Sequence, residues 1–253
     1  MSVKYFKKSL GLLMNKWTKI FDKNSSYIKE SPYNLMSYSL FSKVYSDALN
    51  YSDFLKIMEF ISNALRLKKN SSILDYGSGN GAILLYFLKN YFLKKNISIE
   101  INKSFINFQK KFINHTKLLK GNFNNPQNFL SKIKSNSVDN IMCNSVFQYF
   151  VSEKKAMLVL MEFIRIAKKR IFIYDIKNKE SEKEYRETVR KRQGFSKIKF
   201  KEKYRETPIR SYNKSFFLKN NKLNNIVKSV KIYPIPKCAL DGKFAFCLMI
   251  EKK

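Results

Sequence analysis

Little in this 253-residue chain suits cross-linking or metal binding. Its three cysteines, Cys143, Cys238 and Cys247, are odd in number and show no C-x-x-C spacing. That argues against a disulfide framework and against a zinc site, and fits a reducing cytoplasm. No apolar run approaches the roughly 20 residues that a membrane-spanning helix needs. The amino-terminal region has Lys4, Lys7 and Lys8 but only a brief apolar patch, Leu10 to Met14, and no small-residue cleavage site, so it reads poorly as a signal peptide. Acids are also scarce: 19 Asp and Glu face 50 Lys and Arg, a formal net charge of +31. Such a field draws nucleic acid, acidic membrane surfaces or phosphorylated substrates. Only eight of those cations are arginine, however, the residue whose planar fork grips phosphate best. With Asn, Ile, Phe and Tyr abundant as well, most of the lysine reads as compositional bias on a solvated surface. What is present in quantity is core material, 44% hydrophobic and 15% aromatic residues, enough for one decorated globular domain.

The chain is organised around Ser71 to Phe87, SSILDYGSGNGAILLYF. A short apolar run ends at Asp75, glycines follow at alternate positions (Gly77, Gly79, Gly81), and a helical run continues from Ala82 to Leu93. This predicts a strand, a tight turn and a helix. Glycine is needed where φ is positive or where backbone must lie against a ligand. A helix N-terminus that opens on such a turn can hold a dinucleotide pyrophosphate. Gly77-Ser78-Gly79-Asn80-Gly81-Ala82 formally fits that G-x-G-x-x-A pattern, so the glycines alone discriminate poorly. Asp75 discriminates better. A carboxylate two residues before the first glycine would repel a pyrophosphate, whereas it suits the amino group and sulfonium of S-adenosylmethionine. A tight turn without any ligand is the plain alternative.

Elsewhere the pattern predicts helices over 3–21, 53–67, 104–113 (opened by a Ser104 cap) and 152–168. Strands are expected at 73–75, 97–102, 117–120, 138–144 and 171–175, with two more, 230–235 and 244–250, closing the chain. Pro234 and Pro236 mark an edge strand. From Lys177 to Arg210 the chain is dominated by charge, thirteen Lys/Arg and six Glu, with Glu182–Arg186 and Glu187–Lys191 at helical i,i+4 spacing. That segment is either a solvated helix and loop or a lid that recruits an anionic substrate. The lone histidine, His115, precedes the third strand, at the edge opposite the glycine turn, and is a poor catalytic base.

Together these residues resemble the class I S-adenosylmethionine-dependent methyltransferases, of the bacterial small-molecule type. Asp75 through Gly81 resemble motif I. Glu100, 21 residues after Gly79, resembles the motif II acid that accepts both ribose hydroxyls, with Ile101 beside it. The resemblance implies a doubly wound, Rossmann-like α/β sheet of seven strands, order 3-2-1-4-5-7-6 with strand 7 antiparallel. It also implies an N-terminal helical cap (1–52), a methyltransferase domain (53–253) and a substrate-side insertion (177–217). Asp75, Gly77, Ser78, Gly79, Gly81, Glu100 and Ile101 would bind the cofactor. Asn122 stands where the family commonly has an adenine-binding Asp; its carbonyl can still accept from the amine, and Phe123 could stack on the base. Asn144, Ser145 and Gln148 fall in the strand-four tail that lies beside the sulfonium. Tyr27 and Tyr33 are candidate lid contacts. The implied reaction is methyl transfer to a small, anionic or sugar-type metabolite, of the kind used in surface polysaccharide synthesis. Asp175, Tyr149 and Tyr174 are the candidate bases, unless the acceptor is already ionised. An RNA methyltransferase is the alternative that the charge favours; a nucleotide-dependent oxidoreductase and a non-catalytic binding protein are the others.

Overall fold

The computed structural model describes residues 51–114, 116–121, 126–206, 209–239 and 242–253. The expected helix over 3–21, the tyrosines Tyr27 and Tyr33, and His115, Asn122 and Phe123 lie outside them. Helix α1 (Tyr51–Leu65) leads into β1 (Ser72–Tyr76), and the glycine turn delivers the chain to α2 (Ala82–Tyr91). Then come β2 (Lys95–Glu100), α3 (Lys103–Phe112), β3 (Thr116–Lys120), the short α4 (Pro126–Leu130) and β4 (Val138–Asn144). Helix α5 (Glu153–Ile166) and β5 (Ala167–Lys177) complete the alternating part. Four helices follow: α6 (Glu182–Arg192), α7 (Lys197–Glu206), α8 (Lys214–Leu218) and α9 (Asn221–Ile226). The strands β6 (Val227–Pro234) and β7 (Ala245–Lys252) close the chain.

The seven strands form one sheet in the order β3-β2-β1-β4-β5-β7-β6, with β7 antiparallel to both neighbours. This is the implied Rossmann-like order. Pro234 falls on β6, an edge strand, where proline is tolerated. The strands separate two apolar layers. In β4, Ile141 and Cys143 face one side, with α5 residues such as Leu160 and Phe163. Met142 faces the other, with α1 and α2 residues such as Met58, Ile61 and Phe87. Burial on both faces explains why the centres of β1 (Ile73, Leu74) and β4 (Ile141, Met142, Cys143) are continuously apolar rather than alternating.

Several local expectations shift. Helix α3 is capped by Asn102, whose Oδ1 accepts from Phe105 N at 2.9 Å, and not by Ser104, which lies inside the helix. Strand β2 accordingly ends at Glu100, two residues before the alternation suggested. In α6, Glu182 pairs with Arg186 as the spacing implied, but Glu187 pairs with Arg190 at 2.6 Å, one residue short of Lys191. Strand β5 runs on to Lys177, which brings a lysine into the sheet and buries it.

Candidate active site

The parallel strands bring their carboxyl ends to one edge, where Asp75 and the glycine turn, Glu100, Ser145 and Asp175 all emerge. Gly77, Gly79 and Gly81 have φ values of +75°, +56° and +81°. At two of them packing adds a second requirement. A Cβ on Gly77 would sit 2.3 Å from Val146 Cγ2, and one on Gly81 would sit 2.3 Å from Ile113 Cδ1. These glycines let the turn close against the protein itself, as well as against any ligand.

The turn's amides are largely committed. Gly77 N and Ser78 N both donate to Ile99 O, at 2.8 and 3.2 Å, and Gly81 N donates to Ser78 O at 2.9 Å. Gly79 N donates to Glu100 Oε2 at 2.7 Å, and Ala82 N donates to Asn80 Oδ1 at 3.1 Å. A pyrophosphate needs such N–H groups free. Here they are spent, so the turn makes a poor anion cradle despite its dinucleotide-like spacing.

Its electrostatics point the same way. Asp75 is 2% exposed, and neither carboxylate oxygen has a hydrogen-bond partner among the described residues. Burial, and then the nearby Glu100 carboxylate, push its pKa up to about 7. Glu100 is buried too, and burial raises its pKa, opposed by hydrogen bonds from Asn102, Gly79 and Ile101 amides. Its Oε1 accepts from Ile101 N and Asn102 N at 2.7 and 2.8 Å. Of the roughly four lone-pair positions on a carboxylate, three are therefore used to hold the turn. Two acids in one desolvated corner of a chain with a net charge of +31 create a local field opposite to the global one. An orphaned buried carboxylate calls for a cationic partner. The ammonium of a methionyl group fits it; a phosphate does not.

Ser78 is held from behind. Gln109 Nε2 donates to Ser78 Oγ at 2.8 Å and to Gly79 O at 2.6 Å, and Ser98 Oγ donates to Gln109 Oε1 at 2.7 Å. Ser78 Oγ and Ser98 Oγ close the ring at 2.6 Å. Gln109 is fully buried on the same face of α3 as Phe105 and Ile106. The one polar residue on that apolar stripe was the available signal, and the sequence reading passed over it.

Just past β4, Ser145 (φ +54°), and near the end of β5, Asp175 (φ +63°), both adopt left-handed backbone. Such residues cost energy and cluster at functional sites. Their side chains meet: Ser145 Oγ donates to Asp175 Oδ2 at 2.7 Å, and lies 3.2 Å from Asn144 Oδ1. Asp175 Oδ1 accepts from Lys177 Nζ at 2.8 Å, an ion pair with both side chains nearly excluded from water. Lys177 Nζ also lies 5.0 Å from the centre of the Tyr185 ring. The turn Phe147–Tyr149 is a single 3₁₀ turn. Burial pushes the Tyr149 phenol up; a side-chain hydrogen bond with Gln148 opposes that, Asp175 adds to it, and Lys177 offsets it. Gln148 is buried, and its Oε1 has no partner among the described residues. The tail is clamped by the returning chain. Arg210 donates to Phe150 O and Val151 O at 3.0 and 2.6 Å, and Tyr212 OH donates to Phe147 O at 2.8 Å. Lys177, Arg210 and Tyr212 had no sequence signal that set them apart from their neighbours.

The structure thus brings Asp75, Gly77, Ser78, Gly79, Gly81, Glu100 and Ile101 into one turn, and Asn144, Ser145, Gln148, Tyr149 and Asp175 into one adjoining cluster. Val146, packed on Gly77, joins the two. Among the described residues no helix is long and apolar enough to cross a membrane. None of their His, Cys, Asp and Glu side chains group as a metal site either.

Comparison with known proteins agrees with this geometry. A family model described as "Methyltransferase domain" matches residues 67–235. A SAM-dependent methyltransferase from Aquifex aeolicus superposes with a TM-score of 0.50 at 18% identity, over 78% of this chain and 89% of that one. A geranyl diphosphate C-methyltransferase from Streptomyces coelicolor A3(2), solved with Mg2+, geranyl diphosphate and S-adenosyl-L-homocysteine, gives 0.51 at 13% identity over 77% of each chain. A chain from the Haloferax volcanii complex of the Trm112 methyltransferase activator gives 0.53 at 11% identity, over 78% of this chain and 90% of that one. No curated protein matches by sequence. The match over two thirds of the chain places it in the methyltransferase-domain family: it is a class I methyltransferase whose cofactor is S-adenosylmethionine.

Proposed function

We propose that the chain methylates a small, anionic metabolite whose acceptor atom sits over the ends of β4 and β5. The observation that carries this reading is the Ser145–Asp175–Lys177 cluster, two left-handed residues and a buried ion pair placed beside the glycine turn. S-adenosylmethionine, when bound, supplies an electrophilic methyl on a positively charged sulfur. Asp75 would hold its ammonium, and Glu100 would offer its remaining lone pair to the ribose while fixing the turn. Lys177 and Ser145 each occupy one lone pair of the Asp175 carboxylate and set its plane. The remaining lone pairs can accept a proton or a hydrogen bond from the acceptor, with Tyr149 alongside. Positioning and exclusion of water supply the rest. An acceptor that is already ionised would need no proton removed and would use the same cluster for orientation alone. That the same fold accommodates geranyl diphosphate in the Streptomyces enzyme supports a phosphorylated acceptor.

The test is to incubate the full chain with methyl-labelled S-adenosylmethionine and two pools, anion-exchange-fractionated metabolites and total RNA. Label in the small anionic fraction, lost in Asp175→Asn, supports the reading. Label in RNA alone contradicts it and favours the basic surface as a nucleic-acid platform.

A further inference from the structure

Strand β5 carries one residue too many for its partner β7, and the extra residue falls at the site. We propose that this bulge is what delivers Asp175 to the acceptor, and that Cys247, opposite it on β7, is a positioning residue that holds the bulge. This rests on the reading above that Asp175 meets the acceptor, and it names what aims the carboxylate.

Against β7, Ile173 pairs with Leu248 and Ile176 pairs with Phe246. Tyr174 and Asp175 therefore share one opposite residue, Cys247. Two residues facing one is a β-bulge, which bends its strand and re-aims a side chain. The other edge of β5 is regular up to the same point: Asn140 to Asn144 pair with Arg170 to Tyr174 without a break.

The side chains record the slip. Residues three apart on a regular strand face opposite ways. Ile173 and Ile176 nevertheless lie in the same apolar cluster, with Leu160 and Phe163. Without the extra residue, Asp175 would follow Ile171 and Ile173 into that layer, where a carboxylate is costly. With it, Ile176 takes the apolar place. Asp175 leaves the layer at φ +63°, a conformation that Asp adopts more readily than most residues. Lys177, two residues on, lies on the same side as Asp175, and its Nζ donates to Asp175 Oδ1 at 2.8 Å.

A bulge leaves its extra residue outside the ladder. Here the Asp175 N–H turns to Cys247 and hydrogen-bonds its sulfur. Cys247 is fully buried, in the apolar cluster that also holds Tyr174 and Met249. Burial pushes its thiol up; the Asp175 amide opposes that, and the Asp175 carboxylate adds to it. The thiol therefore stays protonated and takes no part as a nucleophile. As packing alone, valine or alanine would serve in its place. What they lack is an acceptor for the amide of Asp175.

The test reads the bulge in the full chain. Hydrogen exchange at the Asp175 amide should quicken by about 10-fold or more in Cys247→Val. It should stay within about threefold of the wild type in Cys247→Ser, which keeps an acceptor. Urea unfolding of Lys177→Met, Asp175→Asn and their double variant gives the coupling within that ion pair. Asn also tolerates left-handed backbone, so Asp175→Asn removes the charge without disturbing the bulge. The coupling should fall to about half or less in a Cys247→Val background and persist with Cys247→Ser. A cysteine that served only as packing would lower every stability alike and leave the coupling as it was. Should Cys247→Val not fold, Cys247→Ala carries the same comparison. Methyl transfer should slow roughly 10-fold in Cys247→Val, in kcat rather than KM, with S-adenosylhomocysteine affinity within about twofold. Unchanged coupling in Cys247→Val would overturn the proposal, as would unchanged exchange at Asp175 or an unchanged rate of transfer. Exchange and coupling are read without any acceptor, so the two readings fail separately. Label that persists in Asp175→Asn sinks the acceptor reading alone, and an unchanged coupling sinks this one alone.

Discussion

Replacing Asp75 with Asn should make the cofactor-free protein more stable and the cofactor bind worse. The carboxyl ordinarily titrates at 3.8 and is pushed to about 7 in the folded chain, chiefly by burial. The sign follows from linkage. Below pH 3.8 the group is protonated folded or unfolded, and it costs nothing. As pH rises from 3.8 to about 7 the unfolded chain ionises first, so the folded state loses ground over that window and stays penalised above it. The interval corresponds to about 4 kcal/mol, undiminished by solvent because the group is fully buried. Asn cannot ionise. Its lead over the wild type should therefore grow by about 3 kcal/mol between pH 5 and pH 8.5, or about 6–12 °C in Tm for a chain of this size. Any fixed cost of the buried carboxamide shifts the curve without changing its slope. Urea unfolding at a series of pH values, without cofactor, measures the difference. Affinity for S-adenosylhomocysteine should fall by about 10- to 100-fold, the loss of one charge-assisted hydrogen bond. Parallel stability curves for the two proteins would show that no displaced carboxyl exists at this position. Unchanged affinity would show that it does not face the ligand's amine.

Three further outcomes follow from the geometry. Glu100→Gln keeps one acceptor oxygen but turns its NH2 on either the Gly79 amide or the Ile101 and Asn102 amides, so cofactor affinity should drop about 10- to 100-fold, measured by calorimetry, with the fold retained. Gly77→Ala combines positive φ with a 2.3 Å approach to Val146; it should cost about 2–4 kcal/mol in urea unfolding, and pairing it with Val146→Ala should recover the steric part but not the backbone part. Lys177→Met strands the Asp175 carboxylate and should cost about 3–5 kcal/mol, most of it regained in the double variant with Asp175→Asn. A double variant no more stable than Lys177→Met would mean that the lysine acts through packing on Tyr185 and not through the ion pair.

How much of this was legible before the fold is clearest from neighbouring residues. Strand β4 is found at Val138–Asn144, the span expected for it, around the apolar centre Ile141–Met142–Cys143 that is buried on both faces of the sheet. The glycine turn was legible too: positive φ leaves few alternatives to glycine. What glycine spacing does not reveal is where the amides go, and the commitment of Gly77, Ser78 and Gly79 to Ile99 and Glu100 depends on the register of β1 against β2. Gln109 and Lys177 were missed because each matters through a partner far away or on the next turn of strand, which local pattern cannot weigh. The Asn102 cap was mistaken for Ser104 because both are good cap residues two apart, and only the β2 register decides between them. The return of 209–217 over the β4 tail is set by tertiary contacts, among them those of Arg210 and Tyr212 and the Phe147–Phe217 ring contact.

The central claim is that this turn selects a cation through Asp75, against the anionic ligand its glycine spacing would otherwise suit. Calorimetry of the wild-type chain with S-adenosylhomocysteine and with NAD at pH 7, repeated in buffers of different ionisation enthalpy, tests it most directly. The account predicts that S-adenosylhomocysteine binds with release of about half a proton, as a carboxyl titrating near 7 is driven to its ionised form, and that NAD gives no binding heat. Saturable uptake of NAD, or uptake of S-adenosylhomocysteine with no proton released, would contradict it.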